Sequence, residues 1–105
     1  MITFEFPYEA YEFDENDEPV LNDDGEQVTV TVTGKFEADD EVLTDYEFVA
    51  DVLTADEDPK AMVRCFRAVF AGRDREYARV VGGKVDTMGR LLQAALEAVG
   101  EAAKN

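Results

Sequence analysis

The chain has no histidine and no tryptophan, and Cys65 is the only cysteine among its 105 residues. Without histidine it lacks the commonest general base and the commonest metal ligand of proteins. A single cysteine cannot form an intramolecular disulfide, which is typical of a protein from a reducing cytoplasm. Residues 1–7 show no signal-peptide pattern, and no apolar run approaches the roughly 20 residues that span a bilayer. We therefore expect a cytoplasmic protein that is not membrane-bound.

Basic residues are also scarce. The sequence has 10 lysines and arginines and 25 aspartates and glutamates, which gives a net charge of −15. Up to Asp58 there are 20 acids and one base, Lys35, whereas from Pro59 onward there are 5 acids and 9 bases. The acidic balance repels nucleic acid and anionic membranes, so it predicts a protein partner with a basic surface and no direct nucleic-acid binding. Length and the 46% hydrophobic content predict one domain, 1–105, with an acidic strand half, 1–58, and a helical half, 59–105.

The first segment has the pattern of a half-buried strand. Apolar residues alternate with polar ones over residues 2–8, a period of two. Tyr11 and Phe13 take the opposite parity, so the pattern predicts a bulge near residues 9–11. Pro7 has no amide to donate and predicts an edge strand.

Two further strands are predicted after this one, separated by acidic turns. Residues 14–26 are polar and acidic and predict a long hairpin connection, and residues 27–36 alternate valine with threonine as a strand does. Residues 42–53 fit two patterns: their alternation favours a third strand, whereas a capping box at Thr44–Glu47 and an apolar stripe suit a helix. We favour the strand, which closes a three-stranded antiparallel meander.

The second half predicts helices. Asp58 and Pro59 have the residue types of an N-cap and a first helical position, and Gly72 is a natural stop. Asp74 and Asp86 are candidate caps for a short helix and for a final helix that runs to about residue 103. The expected fold class is therefore α+β, with the meander and its long acidic hairpin packed against two or three C-terminal helices.

No catalytic, metal or cofactor site is predicted, and we expect a non-enzymatic protein. Asp14, Asn16 and Glu18 alternate as the first ligands of a calcium loop do, but Pro19 stands where that loop needs glycine. The paired carboxylates have no accompanying cleft residues, and Cys65 lies on the apolar stripe of its helix without a histidine to activate it.

Two sets of residues are candidates for binding a partner. The acidic set could mimic the charge density of a nucleic-acid backbone or simply keep the surface solvated. Its members are Glu12, Asp14, Glu15, Asp17, Glu18, Asp23, Asp24, Glu26, Glu37, Asp39, Asp40 and Glu41. The apolar set, which suits an exposed apolar segment of a partner, is Tyr11, Phe13 and Phe36, to which Phe48 adds a fourth aromatic ring.

The arginines of the helical half are the positive counterpart of these acids. They either pair with the acidic strands inside the monomer or meet the acidic half of a second copy, so a homo-oligomer is possible.

Residues 58–100 resemble the small tail assembly chaperones of tailed bacteriophages. The resemblance rests on a capped helix over 59–71, the run GRDREY at 72–77, KVD at 84–86 and LLQAALEAVG at 91–100. It implies a non-enzymatic protein that binds the tape-measure protein and keeps it soluble while the tail tube polymerises. The acidic strand half departs from these mostly helical chaperones and leaves two alternatives open. One is an acidic inhibitor of the anti-CRISPR or anti-restriction type, and the other is a self-associating virion component.

Overall fold

The N-terminal half forms one long antiparallel ribbon in the computed structural model, which describes residues 1–104. Strands β1 (Ile2–Tyr11) and β2 (Thr29–Ala38) pair without interruption, from Ile2 opposite Ala38 to Tyr11 opposite Thr29. The expected bulge near residues 9–11 is therefore wrong. Tyr11 keeps the odd-numbered position that the unbroken register gives it, opposite Thr29, and its side chain is more than half exposed.

The expected third strand is also wrong. Residues 42–44 form a short 3-10 turn, and helix α1 (Tyr46–Thr54) follows, with the Asp45 carboxylate accepting the amide of Glu47 at 3.0 Å as its N-cap. A strand could not have paired with β2 at its C-terminal end. There the outward amide of Glu37 donates to the hydroxyl of Tyr77, 3.0 Å away, and that of Asp39 donates to a helical carbonyl. The α+β class is confirmed with two strands and four helices in the described residues.

The remaining helices are α2 (Pro59–Val69), α3 (Asp74–Val80) and α4 (Val85–Ala103). Asp58 caps α2 as predicted, since its carboxylate accepts the amide of Lys60 at 3.0 Å. Gly72 lies beyond the end of α2 with φ of +85°, which suits glycine. The predicted caps Asp74 and Asp86 instead lie inside the first turns of α3 and α4, where their charge is favourable to the helix dipole.

The hydrophobic core lies where the base of the ribbon meets the helices. The ring of Phe36 packs 5.0 Å from Tyr77 and 6.0 Å from Phe4, and Tyr77 packs 5.3 Å from Phe70. The far half of the ribbon extends beyond this core, so the molecule measures 51 × 32 × 18 Å. Its radius of gyration of 16.0 Å exceeds the roughly 13 Å typical of a compact domain of this length.

Gly34 provides a test of this packing. A Cβ atom at this position would come within 2.9 Å of the Tyr8 ring and 3.0 Å of the Phe36 ring, which lie over the glycine. We expect Gly34→Ala to lower the free energy of unfolding by about 1–3 kcal/mol, because the rings must move to admit the methyl group. Urea denaturation followed by circular dichroism measures the change.

Gly100 of α4 supplies the matched control, since a Cβ there meets no atom within 4 Å. Gly100→Ala should stabilise the protein by about 0.5–1 kcal/mol through the helix propensity of alanine. Equal effects of the two substitutions would contradict the close ring packing over Gly34.

The contact between α1 and α2 predicts a pH dependence. Asp51 accepts two hydrogen bonds from Arg64, at 2.8 and 3.1 Å, and these bonds lower the pKa of Asp51. Because the pKa of Asp51 is lower in the folded state than in the unfolded state, the ionised carboxylate stabilises the fold at pH values above the unfolded-state pKa of about 3.9. This stabilisation is lost as the pH falls through the folded-state pKa. We therefore expect Asp51→Asn to be less stable than wild type at pH 7, with the difference shrinking towards about pH 3.

Urea denaturation at both pH values measures that difference. In the double-mutant cycle, Arg64→Gln should have a smaller effect in the Asp51→Asn background than in wild type. A destabilisation by Asp51→Asn that is the same at the two pH values would mean that the ion pair is not its cause.

Candidate protein-binding surfaces

The far end of the ribbon, residues 12–26, is an acidic tip with eight acids and no base. Its side chains are exposed, apart from a half-buried Glu12 and Val20. The tip consists of two successive hairpin turns rather than the single long connection that the sequence predicts. Phe13 pairs with Pro19 across the first turn, and Leu21 pairs with Gln27 across the second.

Both turns have the same construction. The Asp14 carboxylate accepts the amides of residues 16 and 18 at 2.9 and 3.0 Å, and the Asn22 side chain accepts those of residues 24 and 26 at the same distances. Asp17 and Gly25 occupy equivalent positions with positive φ. The eight residues FDENDEPV thus repeat as LNDDGEQV. The sequence analysis did not detect this repeat. Its visible signs are the glutamate and the valine that the two copies share, and the Asp or Asn that follows an apolar residue in each copy.

The two turns and the ribbon meet at a closed triangle of hydrogen bonds. The amide of Glu12 donates to the carbonyl of Val28, that of Val28 donates to Val20, and that of Val20 donates back to Glu12, each at 2.9 Å. Local backbone bonds therefore hold the tip in place, away from the hydrophobic core.

None of the tip acids pairs with a cation among the described residues. Mutual repulsion between them is not offset inside the molecule, so the tip presents its negative charge to solvent.

The second acidic turn, which includes Glu37, Asp39, Asp40 and Glu41, lies at the other end of the ribbon. Two of its acids are paired: Glu37 lies 3.5 Å from Arg73, and Asp40 lies 2.8 Å from the terminal ammonium of Met1. That bond lowers the pKa of Asp40 and raises the pKa of the ammonium group. Asp39 accepts the amide of Glu41 at 2.9 Å. The two acidic turns are therefore separate surfaces, and the tip has the greater uncompensated charge.

Two of the predicted apolar contact residues lie in the core instead. Phe36 is only 3% exposed and Phe48 only 2%, because their side chains point towards the helices. The prediction of Phe36 as a partner-binding residue is therefore wrong. Tyr11 and Phe13 are more than half exposed, near the acidic tip.

A different apolar surface lies on α1. Tyr46, Val49 and Leu53 follow helical spacing and form a stripe that faces solvent, with Tyr46 81% and Leu53 80% exposed. Phe48 lies on the opposite side of α1 and makes its core contact. Leu43, also exposed, precedes the stripe in the short turn before the helix. The sequence contains this stripe, but the strand interpretation of residues 42–53 obscured it.

An open groove of about 490 Å³ runs beside this stripe, between α1, α2 and α4. Val52 lies on its α1 side and follows Val49 of the stripe by three residues, a spacing that makes the two side chains neighbours on the helix. The stripe and the groove therefore form one surface. Apolar side chains line most of the groove, with acids at its rim: Val52, Ala55, Asp56, Met62, Phe66, Gly89, Leu92, Gln93, Leu96 and Glu97. We call the stripe and the groove together the apolar surface.

The arginines pair mostly within the helical half. Arg64 bonds Asp51, Arg67 lies 3.5 Å from the buried Asp74, and Arg73 bonds Glu76 at 2.8 Å. The Arg73–Glu37 contact joins the helices to the strands. Six bases make no ion pair among residues 1–104, namely Lys35, Lys60, Arg75, Arg79, Lys84 and Arg90.

The described residues hold no group of three acidic, cysteine or histidine side chains placed to bind a metal ion. Burial raises the pKa of the Cys65 thiol, which disfavours the reactive thiolate. The described helices include none with the length and apolar character needed to cross a membrane.

Comparison with known proteins returned no matching family model, curated protein or solved structure.

Proposed function

We propose that this chain is a non-enzymatic protein that acts by binding another protein, as a tail assembly chaperone-like factor of a phage or mobile element. It holds an amphipathic helical segment of its partner on the apolar surface of α1, α2 and α4. Its acidic tip keeps the complex soluble.

The observation that carries this proposal is the outward apolar stripe of α1. Tyr46 and Leu53 are each about four-fifths exposed, and exposed apolar residues that form a contiguous patch mark interaction sites on soluble proteins. A groove between helices with an apolar floor suits the apolar face of an added helix. The buried Phe66 and half-buried Met62, Leu92 and Leu96 provide that floor.

The resemblance over residues 58–100 supports the choice of partner. It implies the tape-measure protein, which is kept soluble while the tail tube polymerises. The apolar surface includes part of this region, since α2 and α4 supply most of the groove.

Co-expression with the tape-measure protein of the same genome tests this function. We expect the two proteins to co-purify and to remain together at about 1 M salt, because apolar contacts are not screened. Leu53→Glu should reduce the recovered partner at least about tenfold, since it places a charge within the apolar contact.

Leu21→Glu is the matched control. Leu21 is exposed too, but it lies in the acidic tip, and its replacement should leave co-purification unchanged. Circular dichroism should report folded protein for both variants. If Leu53→Glu is folded and retains the tape-measure protein as well as Leu21→Glu does, the apolar surface is not the binding site.

A second candidate function is an acidic inhibitor that occupies the basic groove of a host defence or DNA-binding protein. The observation that favours it is the unpaired acidic tip, whose two capped turns hold eight acids on a short projecting segment. Such a segment offers a dense line of negative charge to a basic surface, as a nucleic acid does.

A variant that neutralises only solvent-facing tip acids tests this alternative. Glu15→Gln, Asp17→Asn, Asp23→Asn and Asp24→Asn together remove four charges but keep Asp14 and Asn22, the side chains that hold the turns. Pull-down from host lysate should then yield a partner that is released between about 0.1 and 1 M salt and that the variant fails to retain. A partner retained unchanged at 1 M salt would exclude the mimic.

A further inference from the structure

A crevice of about 450 Å³ lies between the ribbon and the α3–α4 turn, and the proposed function does not use it. One wall consists of ribbon residues, namely residues 9–11, Phe13 and Thr29. The other wall consists of the end of α3, the start of α4 and the turn between them. The volume falls within the range of roughly 300–1,000 Å³ that is typical of small-molecule sites.

The helical wall concentrates positive charge that has no partner in the chain. Three of the six bases without an ion pair among residues 1–104 line it, namely Arg79, Lys84 and Arg90. The one acid in the lining is Glu9, whose carboxylate accepts the Thr31 hydroxyl at 2.7 Å and does not pair with these bases. Three bases and one acid give the lining a net charge of +2. In a chain with 25 acids, bases that stay unpaired around one crevice are available to an anion from outside.

The ribbon wall carries two aromatic rings. Tyr11 is 57% exposed and Phe13 is 54% exposed, and both line the crevice. Neither residue belongs to the apolar surface of α1, α2 and α4, so the proposed function gives these rings no role. Exposed aromatic side chains are platforms on which a nucleic-acid base can stack. The two walls therefore suit the two ends of one ligand, an anionic end and a flat ring.

We propose that this crevice binds a mononucleotide. The phosphate contacts Arg79, Lys84 and Arg90 on the helical wall, and the base lies against the rings of Tyr11 and Phe13 on the ribbon wall. A phosphomonoester carries a charge of about −1.5 to −2 at pH 7, which is close in size to the net charge of +2 in the lining.

Charge favours a small ligand over a polyanion in this crevice. The acidic tip begins at Glu12, directly after Tyr11, and its eight acids have no cation partner among residues 1–104. An acidic peptide or an oligonucleotide that extends past the ribbon wall meets these like charges. A mononucleotide ends within the crevice, and at about 0.15 M salt the charges more than roughly 8 Å away from it are largely screened.

Titration of isotope-labelled protein with AMP, followed through amide chemical shifts, tests the site. The amides of Gly82 and Thr87 should shift saturably, whereas that of Ala55 in the apolar surface should not. Arg79→Gln should raise the Kd for AMP about tenfold, because it removes a charge-assisted hydrogen bond to the phosphate. Arg75→Gln is the matched control: it removes the same charge from another unpaired base of α3, one turn earlier, that does not line the crevice. Absence of shifts at millimolar AMP, or equal weakening by the two variants, overturns the proposal.

Tyr11→Ala tests the contact with the base. It should raise the Kd for AMP about tenfold through the loss of stacking and leave the Kd for inorganic phosphate unchanged. Tyr46→Ala, which removes an exposed tyrosine outside the crevice, should change neither value, and the same spectra report whether each variant is folded. Inorganic phosphate that binds wild type as tightly as AMP does would overturn recognition of the base. A hexaglutamate peptide that displaces AMP at equal concentration would overturn the nucleotide in favour of an acidic protein segment.

Discussion

The position of Tyr77 determines how the two halves of the molecule meet. Its ring packs edge-on against Phe36 of the ribbon and Phe70, just after α2, and the Arg73 guanidinium lies 4.9 Å from its centre. Its hydroxyl accepts the outward amide of Glu37. One side chain thus joins the ribbon to the helices through apolar and polar contacts together. The same hydrogen bond occupies the outward amide of Glu37, so no further strand can use that amide at the end of β2.

The separation of charge follows from this arrangement. The core lies at the base of the ribbon, so the far end contributes little to it and can carry acids that burial would penalise. Local hydrogen bonds replace apolar packing there: each turn of the tip is closed by an Asp or Asn side chain, and three backbone bonds close the junction. A hydrogen-bonded acidic projection therefore exists on a protein whose helical half has a net positive charge.

Sequence patterns predicted the parts of the fold that depend on local physics. The period of two predicted β1 and β2, and Asp58 with Pro59 predicted the start of α2. Residues 42–53 were mispredicted because their apolar residues satisfy both periods. The Asp45 N-cap favours the helix, and the Tyr77 hydroxyl occupies the outward amide of Glu37 that a third strand would use. Phe36 was mispredicted as an exposed contact. It has the same parity as Val30 and Val32, and residues of this parity in β2 lie on the same face of the ribbon as the buried side of β1.

The apolar surface shows why a stripe on a helix does not by itself identify a core. Amphipathic spacing in α1 predicts one apolar face, and the usual inference is that this face is buried. Here Phe48, outside the stripe, makes the core contact, while Tyr46 and Leu53 remain in solvent. The residues that stabilise α1 are therefore different from those available to a partner. Because the two sets of residues differ, a substitution in the exposed stripe can abolish binding at α1 while the protein stays folded. A loss of binding can then be distinguished from a loss of stability.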